Sequence, residues 1–391
     1  MRRTRCGGCD LGSLLPFVDL GSTPLADRFP ATSSESEDFW PLEVAVCQNC
    51  FLVQLMDVVP DHILWADYEF YSGASPSKLT YHKAYADWVM ERFPSPKLIL
   101  EIGCNDGDLL RHFADAGYQA VGIDPAVGPT ELARSRGLDV RTAMFDGAST
   151  EDVAGKVDVA IANHVVAHQA DLHAFFETLE STLAPEGVAI VEVQYLPSLM
   201  TGNQFDHFYH EHRFFFSAST LESVARQHGL HIAEYMQTTQ QGGSLRVVLE
   251  RGQPGDHPAH RQWEAWCGVF DIETYFAFEP RVLYIRERLL ALLEERRKVG
   301  SVAGYGATAK STTLLNFCGI SLDYIVDKTP SKIGRVSPGM HIPIVGDGEM
   351  PEPDTYLLLA WNYLSGVLRR ERSFLDNGGR FLVPIPMPVL L

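Results

Sequence analysis

The stretch Leu98-Ile99-Leu100-Glu101-Ile102-Gly103-Cys104-Asn105-Asp106-Gly107 decides the fold, because an apolar run leads directly into a turn that contains two glycines. Residues 108–116 follow with helical spacing, and residues 120–124 form the next apolar run. Strands that alternate with short helices are typical of a parallel sheet with crossover helices on its faces. The sequence therefore predicts an α/β domain that begins near residue 97.

The same alternation continues along the chain and later starts again. Further strands are expected at residues 157–162 and 188–193. Residues 301–303 form another apolar run, which leads into the turn Gly304-Tyr305-Gly306-Ala307-Thr308-Ala309-Lys310 and a helix at 311–317. We therefore expect a second α/β unit in the C-terminal part of the chain.

Glycine, proline and apolar patterning divide the chain into four regions. The first is rich in loops, the second is helical and ends at Pro94-Ser95-Pro96, and the last two are the α/β units. The expected boundaries are 1–60, 61–96, 97–252 and 253–391.

Composition limits the partners and the compartment. The 391 residues carry a formal net charge of −18, so the chain as a whole repels a nucleic-acid backbone. No apolar run reaches the roughly 20 residues that a membrane span requires, and Cys6 stands where a signal peptide would become apolar. We expect a cytoplasmic protein that binds neither nucleic acid nor membrane.

The N-terminal region contains two Cys-x-x-Cys pairs, Cys6 with Cys9 and Cys47 with Cys50. Each pair places two thiolates on one tight turn, and two such turns supply the four sulfur ligands that Zn²⁺ prefers. With every ligand position filled by sulfur, the metal has a structural role and helps to fold a segment with little core. Four unrelated thiols are the alternative.

The first glycine-rich turn is suited to S-adenosylmethionine. The turn does not match the dinucleotide fingerprint G-x-G-x-x-G: the third position after Gly103 is Asp106, and a carboxylate there opposes a pyrophosphate but not a cationic ligand. Glu101 can neutralise an amino group, and Asp124 can accept hydrogen bonds from ribose hydroxyls. The residues expected to bind the cofactor are Glu101, Gly103, Asn105, Asp106, Gly107, Asp124, Asp146 and Asn163.

Histidines are concentrated in the middle of the chain, in Asn163-His164-Val165-Val166-Ala167-His168 and in Gln204-Phe205-Asp206-His207-Phe208-Tyr209-His210-Glu211-His212. Imidazoles flanked by phenylalanines and a carboxylate can supply a general base near neutral pH. A metal site and a surface loop are the alternatives.

The motif Tyr209-His210-Glu211-His212-x-x-x-Phe216-Ser217, with the turn 304–310 and the paired cysteines, resembles the sugar C-methyltransferases of deoxysugar biosynthesis. The resemblance implies a zinc-binding module, a class I methyltransferase domain and a C-terminal Rossmann-like domain. It also implies methyl transfer to C3 of a dTDP-4-keto-6-deoxyhexose through an enolate. His212 would then be the base, Tyr209 and His168 would stabilise the enolate, Glu211 would orient the cluster, and Tyr68 or Tyr71 would reach the active site.

The second glycine-rich turn is expected to anchor the sugar nucleotide. Backbone amides, the helix dipole and Lys310 can together hold a diphosphate. The residues expected to bind the substrate are Gly306, Thr308, Ala309, Lys310, Asp327, Lys332 and Asn362. An NAD site and a purely structural turn are the alternatives at this loop.

Three other functions remain open from the sequence. One is a nicotinamide-dependent oxidoreductase or epimerase that uses a glycine-rich loop. Another is a scaffold in which the zinc module recruits a partner. The third keeps the mechanism but methylates an enolisable acceptor that is not a sugar.

Overall fold

A computed structural model describes residues 2–65, 71, 76–252 and 258–391. Within these residues the strands form three sheets of four, seven and six strands. The two larger sheets are mostly parallel, as the alternating strand and helix pattern predicts. The fold is therefore mixed α/β with a small antiparallel sheet at the N-terminus.

The N-terminal sheet is antiparallel and has the strand order β1-β2-β3-β9. Its strands are β1 (Leu14–Thr23), β2 (Trp40–Cys47), β3 (Val53–Leu55) and β9 (Phe214–Phe215). The fourth strand thus comes from the middle of the chain and lies just after the histidine-rich segment. Helices α1 (Asp61–Leu64) and α2 (Pro76–Arg92) lead from this sheet to the next.

The seven-stranded sheet has the order β10-β11-β8-β7-β4-β5-β6, in which only β11 runs antiparallel to both of its neighbours. Its strands are β4 (Ile99–Ile102), β5 (Ala120–Asp124), β6 (Asp139–Thr142), β7 (Val157–Asn163), β8 (Leu183–Gln194), β10 (Leu230–Thr238) and β11 (Ser244–Arg251). Its helices are α3 (Leu110–Asp115), α4 (Val127–Ser135), α5 (Leu172–Thr182), α6 (Leu196–Thr201) and α7 (Ala218–Arg226).

The central strands of this sheet are covered on both faces, which explains their continuous apolar runs. Every residue of β4 is buried. Helix α5 begins after Asp171, whose side chain caps it by accepting hydrogen bonds from the amides of His173 and Ala174. The strand order places β4 between β5 and β7, so a crevice opens at the carboxyl ends of these strands.

The C-terminal sheet has the order β14-β13-β12-β15-β16-β17, with only the last pair antiparallel. Its strands are β12 (Val302–Tyr305), β13 (Ile325–Val326), β14 (Ile344–Val345), β15 (Thr355–Leu358), β16 (Arg380–Val383) and β17 (Val389–Leu390). The helices of this part are α8 (Pro258–Trp266), α9 (Ile272–Phe276), α10 (Phe278–Arg297), α11 (Ala309–Cys318), α12 (Leu364–Arg370) and α13 (Arg372–Asp376).

One apolar core joins the N-terminal sheet to the C-terminal unit. Val18 of β1, Leu289 of α10 and Leu357 of β15 belong to the same buried cluster. Phe208, close to the histidine-rich motif, packs edge-to-face on Phe17 with the ring centroids 6.3 Å apart. The N-terminal segment therefore buries its apolar side chains against the rest of the chain. No helix among the described residues is long and apolar enough to cross a membrane.

Candidate functional site

One cavity lies between the carboxyl ends of the two parallel sheets. On one side it is lined by the turns that follow β4, β5 and β7, and on the other by the start of α11. The histidine-rich segment forms the wall between them. The predicted site residues that line this cavity are Glu101, Gly103, Asn105, Asp124, Asn163, His168, Tyr209, Glu211, His212, Thr308, Ala309, Lys310 and Lys332.

The turn after β4 leaves no room for a side chain at Gly103. This residue has φ of +71°, and a Cβ there would lie 2.4 Å from Cγ2 of Val165. The backbone can therefore adopt the left-handed conformation and approach a ligand closely. Asp124, at the end of β5, accepts hydrogen bonds from the amides of Asn105 and Ala126 at 3.0 and 2.8 Å. These bonds fix the carboxylate at the edge of the cavity.

Several carboxyl groups lie close together where the turns after β4 and β5 line the cavity. Oε2 of Glu101 is buried and has no hydrogen-bond partner among the described residues. Burial, and then the nearby charges of Asp124 and Asp108, raise the pKa of Glu101 well above its usual value. A cation placed beside Glu101 would satisfy the unpaired oxygen and reverse the pKa shift. The residues present thus fit a ligand with an ammonium group.

Three residues expected to bind the cofactor are not among those that line the cavity. Asp106 lies 3.7 Å from the Arg136 guanidinium, and a Cβ at Gly107 would meet Leu138. The Asp146 carboxylate accepts the amide hydrogen of Ser149 at 2.8 Å. In this structure these residues shape the neighbouring turns.

Tyr209 and His212 form the centre of the polar wall. The Tyr209 hydroxyl lies 2.8 Å from Nε2 of His212, and Nδ1 of His212 lies 3.3 Å from the carbonyl oxygen of His207. Because a carbonyl only accepts, Nδ1 carries the hydrogen and Nε2 is the basic nitrogen. Burial, together with the nearby His168, lowers the pKa of His212 well below its usual value. The imidazole is therefore neutral at neutral pH.

His168 stacks on His212, with ring centroids 5.2 Å apart and an interplanar angle of 21°. On its other side lies the Trp65 ring, at 5.4 Å. Burial lowers the pKa of His168 to about 3, and its Nε2 is buried without a partner in the part of the chain that the structure describes. A neutral imidazole with an unsatisfied nitrogen is ready to bond an oxygen of a ligand.

Glu211 lines the same cavity as His168 and His212, but its carboxylate bonds to the N-terminal segment. Its Oε1 accepts the backbone amide hydrogen of Asp27 at 3.3 Å. Burial, followed by the charge of the Asp27 carboxyl, raises the pKa of Glu211 to about 7. The side chain therefore faces the N-terminal segment.

The tyrosines before α2 are only partly described. Tyr71 places its hydroxyl oxygen 2.7 Å from where a Cβ on Gly128 would stand, against the first turn of α4. Tyr71 does not appear among the residues that line the cavity. Tyr68 lies outside the described residues.

The second glycine-rich turn presents the N-terminus of α11 to the cavity. The Thr308 hydroxyl caps this helix by accepting the Ser311 amide hydrogen at 3.2 Å. Lys310 is 6% exposed, and Nζ of Lys332 donates to the carbonyl oxygen of Ala307 at 2.8 Å. Two cations and a helix N-terminus thus meet at one place, which favours an anionic group there.

The other residues expected to bind the substrate lie behind this turn. The Asp327 carboxylate accepts the amide hydrogens of Ala307 and Thr329 at 2.6 and 2.7 Å, so it braces the loop. Gly306 has φ of +92°, with Ala360 too close for a Cβ. Oδ1 of Asn362 is buried without a partner among the described residues, but Asn362 is not on the cavity wall.

The structure adds cavity residues that the sequence did not single out for the site. They include Asp27, Trp65, Lys78, His82, Gln194, Gln241 and Tyr363, and His164 of the histidine-rich segment lines the cavity as well. Asp27 and Lys78 carry no recognisable motif and reach the cavity from segments before the first α/β unit. His164 follows β7 directly, so its place at the end of a parallel strand was the available signal.

The four N-terminal cysteines converge. Their sulfur atoms all lie within 4.8 Å of one another, with Cys6 to Cys50 at 3.6 Å and Cys9 to Cys47 at 3.7 Å. A Zn–S bond of about 2.3 Å in a tetrahedron gives a sulfur–sulfur distance of about 3.8 Å. The sulfur set therefore fits one zinc ion and leaves no position for water.

Three protein-family models match the chain. The model of a zinc binding domain covers residues 6–65, that of a methyltransferase domain covers 79–235, and that of a C-methyltransferase C-terminal domain covers 239–386. Together the three matches span most of the sequence and follow the order of the three sheets.

One curated relative matches over almost its whole length. C-methyltransferase NovU from Streptomyces niveus is 34% identical over 402 aligned positions, which cover 98% of this chain and 96% of NovU. The ubiquinone biosynthesis O-methyltransferase of Azorhizobium caulinodans is 36% identical, but over only 24% of this chain and 38% of its own length. Magnesium protoporphyrin IX methyltransferase from Synechocystis PCC 6803, solved with bound SAM, matches 44% of this chain with 16% identity and a TM-score of 0.35.

Proposed function

Because this chain belongs to the family of S-adenosylmethionine-dependent C-methyltransferases that includes NovU, we propose that it methylates C3 of a dTDP-linked 4-keto-6-deoxyhexose. One observation carries the proposal. A single cavity contains the acidic turn after β4, the Tyr209 and His212 pair, and Lys310 with Lys332 at the start of α11. In the proposed reaction, the acidic turn is complementary to the methyl donor, the Tyr209 and His212 pair to the reacting carbon, and the two lysines to the diphosphate.

When bound, S-adenosylmethionine supplies a methyl group on a cationic sulfur. Glu101 and Asp124 are the carboxylates that would hold its amino group and its ribose. The unpaired oxygen of Glu101, and the pKa that burial and the neighbouring carboxylates raise, both support this role. The carboxylates leave the end of the cavity that faces His212 open to the acceptor.

The acceptor is activated by removal of a proton beside its ketone. Nε2 of His212 takes this proton, the C–H electron pair forms a carbon–carbon double bond, and the ketone oxygen becomes an enolate. As negative charge develops on this oxygen, the Tyr209 hydroxyl and a protonated Nε2 of His168 donate hydrogen bonds to it. The enolate carbon would then take the methyl group that S-adenosylmethionine supplies: the methyl–sulfur bond breaks with its electron pair left on sulfur, the ketone re-forms, and the proton stays on His212 until solvent removes it. A positioned base contributes about 10²–10⁴-fold to such a reaction.

The other walls position the acceptor. The helix dipole of α11, with Lys310 and Lys332, binds the diphosphate and so fixes the distance from it to the sugar ring. His207 holds the hydrogen of His212 on Nδ1 through its carbonyl oxygen. The stacked ring of His168 excludes water from one face of His212.

The direct test incubates the purified enzyme with S-adenosylmethionine and a dTDP-4-keto-6-deoxyhexose. We expect a product heavier by one CH₂ in mass spectrometry, with the new methyl on C3 by NMR. A methyl on C5, the other carbon beside the ketone, would contradict the position alone. Transfer only to an enolisable compound without a sugar nucleotide would contradict the acceptor class.

A second prediction concerns Glu101. Substitution Glu101→Gln removes the negative charge but keeps the side-chain volume, so the affinity for S-adenosylmethionine should fall about 10–100-fold, as expected for a hydrogen bond to a charged group. Isothermal titration calorimetry measures the change. Glu131→Gln, on the exposed side of α4, is the matched control. Equal affinities in both variants would remove Glu101 from the cofactor site.

A further inference from the structure

The N-terminal segment contributes a carboxyl group to the cavity. Asp27 lies on its wall, although it comes from the loop after β1. This loop is held on both sides: the carbonyl oxygen of Ala26 accepts from the Thr312 hydroxyl at 3.0 Å, and that of Pro30 accepts the Val336 amide hydrogen at 3.0 Å. The backbone on either side of Asp27 is therefore fixed against the C-terminal unit.

Asp27 and Glu211 meet at the cavity as a carboxyl pair. The amide of Asp27 donates to Oε1 of Glu211 at 3.3 Å. Glu211 lines the cavity and is only 4% exposed. Its Oε2 is nevertheless without a hydrogen-bond partner in the described part of the chain. Buried acceptors are normally satisfied, so this atom indicates a hydrogen-bond donor on a ligand.

The charges around the pair favour a neutral donor. Lys78, Lys310 and Lys332 line the same cavity and supply three positive charges. The diphosphate of a sugar nucleotide supplies about two negative charges, and the two carboxyl groups, whose pKa values burial raises, supply about one more between them. With Glu101 and Asp124 assigned to the cationic methyl donor, the charges that remain for the acceptor sum to about zero. An ammonium group on the acceptor would add an uncompensated charge, whereas a hydroxyl would not.

We propose that Asp27 and Glu211 together bind the hydroxyl group on the reacting carbon of the acceptor, and that Asp27 makes the enzyme select acceptors with this hydroxyl. The inference rests on the proposed function. Asp27, Glu211 and His212 line the same cavity, so a substituent on the carbon that His212 deprotonates shares that cavity with the carboxyl pair. Asp27 is a specificity-determining residue that the cysteine-containing segment supplies to a site formed by the other two units.

The first test uses the unmodified enzyme and three nucleotide-linked 4-keto sugars, which carry a hydroxyl, a hydrogen or an amino group on C3. A site built around a hydroxyl discriminates strongly against an analogue that lacks it. We expect kcat/KM to fall at least about 100-fold for the C3-deoxy acceptor and at least about 10-fold for the amino acceptor. Equal kcat/KM for the hydroxyl and deoxy acceptors would overturn the inference without any variant.

The second test is Asp27→Asn. We expect kcat/KM for the hydroxyl acceptor to fall about 10–100-fold, mainly through KM, and the ratio between hydroxyl and deoxy acceptors to shrink by the same factor. Asp38→Asn, an exposed position in the same segment, changes the net charge equally and should leave the ratio unchanged. An unchanged ratio in Asp27→Asn would overturn the role of Asp27.

These outcomes are distinguishable from failure of the proposed function. If no nucleotide-linked keto sugar gains a methyl with the unmodified enzyme, the acceptor class is wrong. If methyl transfer occurs and S-adenosylmethionine binds equally to both Asp27 forms, an unchanged acceptor ratio counts against the carboxyl pair alone.

Discussion

Substitution His212→Ala is expected to lower the rate of methyl transfer by about 10²–10⁴-fold and to leave the affinity for S-adenosylmethionine unchanged. The imidazole has its basic nitrogen at the cavity and its other nitrogen bonded to the His207 carbonyl oxygen. Loss of the ring removes the base, while Glu101 and Asp124 keep their places. Single-turnover kinetics and calorimetry on the same preparation separate the two effects.

Proton exchange gives an independent reading of the same step. In heavy water, the unmodified enzyme should exchange the proton beside the ketone of the acceptor, and the alanine variant should not. His210→Ala is the control, because His210 is buried against the Pro41 carbonyl oxygen and does not line the cavity. Exchange at the normal rate in His212→Ala would assign the base to another residue.

The pH dependence has a defined sign. A base acts in its neutral form, so activity is lost as the pH falls through its pKa in the folded enzyme. Burial lowers the pKa of His212 well below 6.5, so protonation of this ring should not limit kcat/KM above about pH 6. The pKa of the neighbouring His168 is lowered to about 3 for the same reason.

Removal of the zinc is expected to have the second large effect. The four sulfur atoms hold the two ends of the N-terminal segment together, and this segment buries many of its apolar side chains in a cluster that it shares with the rest of the chain. Structural zinc contributes about 10–16 kcal/mol in small zinc-binding peptides, so Cys6→Ser should lower the first unfolding midpoint by at least about 10 °C. Methyl transfer should be lost as well, because the loop that carries Asp27 depends on this segment.

The measurement combines zinc content by elemental analysis with differential scanning calorimetry. Cys267→Ser removes a thiol that lies outside the cluster, and it should retain zinc and the midpoint of the unmodified enzyme. A Cys6→Ser enzyme with full zinc content and an unchanged midpoint would contradict the structural role.

The parallel sheets could be predicted because their strands are buried on both faces and read as continuous apolar runs. The strand expected at 120–124 is β5 with the same bounds. The long helical stretch expected to end within residues 289–298 is α10, which ends at Arg297 and alternates charged residues with the buried Val282 and Ile285. β9 has only two residues and no pattern of its own, so only its pairing with β3 reveals it.

The polar ends of parallel strands were also predictable, because such ends share one edge of a sheet. Glu101 and Asp124 belong to two such strands and line the cavity, which His212 reaches from the loop before β9. Asp27 and Lys78 could not be foreseen, because each arrives through contacts between units that are far apart in the sequence. The contact between Glu211 and the Asp27 amide could not be predicted either, because it depends on the path of the N-terminal loop.

The origin of β9 has a consequence for the order of events during synthesis. The N-terminal strands leave the ribosome first, but their sheet gains its last strand only when residues 214 and 215 have emerged. The loop around Asp27 can form its hydrogen bonds with Thr312 and Val336 only after those residues have also emerged. Contacts so distant in the sequence form slowly. A nascent chain should therefore hold its metal early and acquire a competent catalytic chamber only near the end of translation.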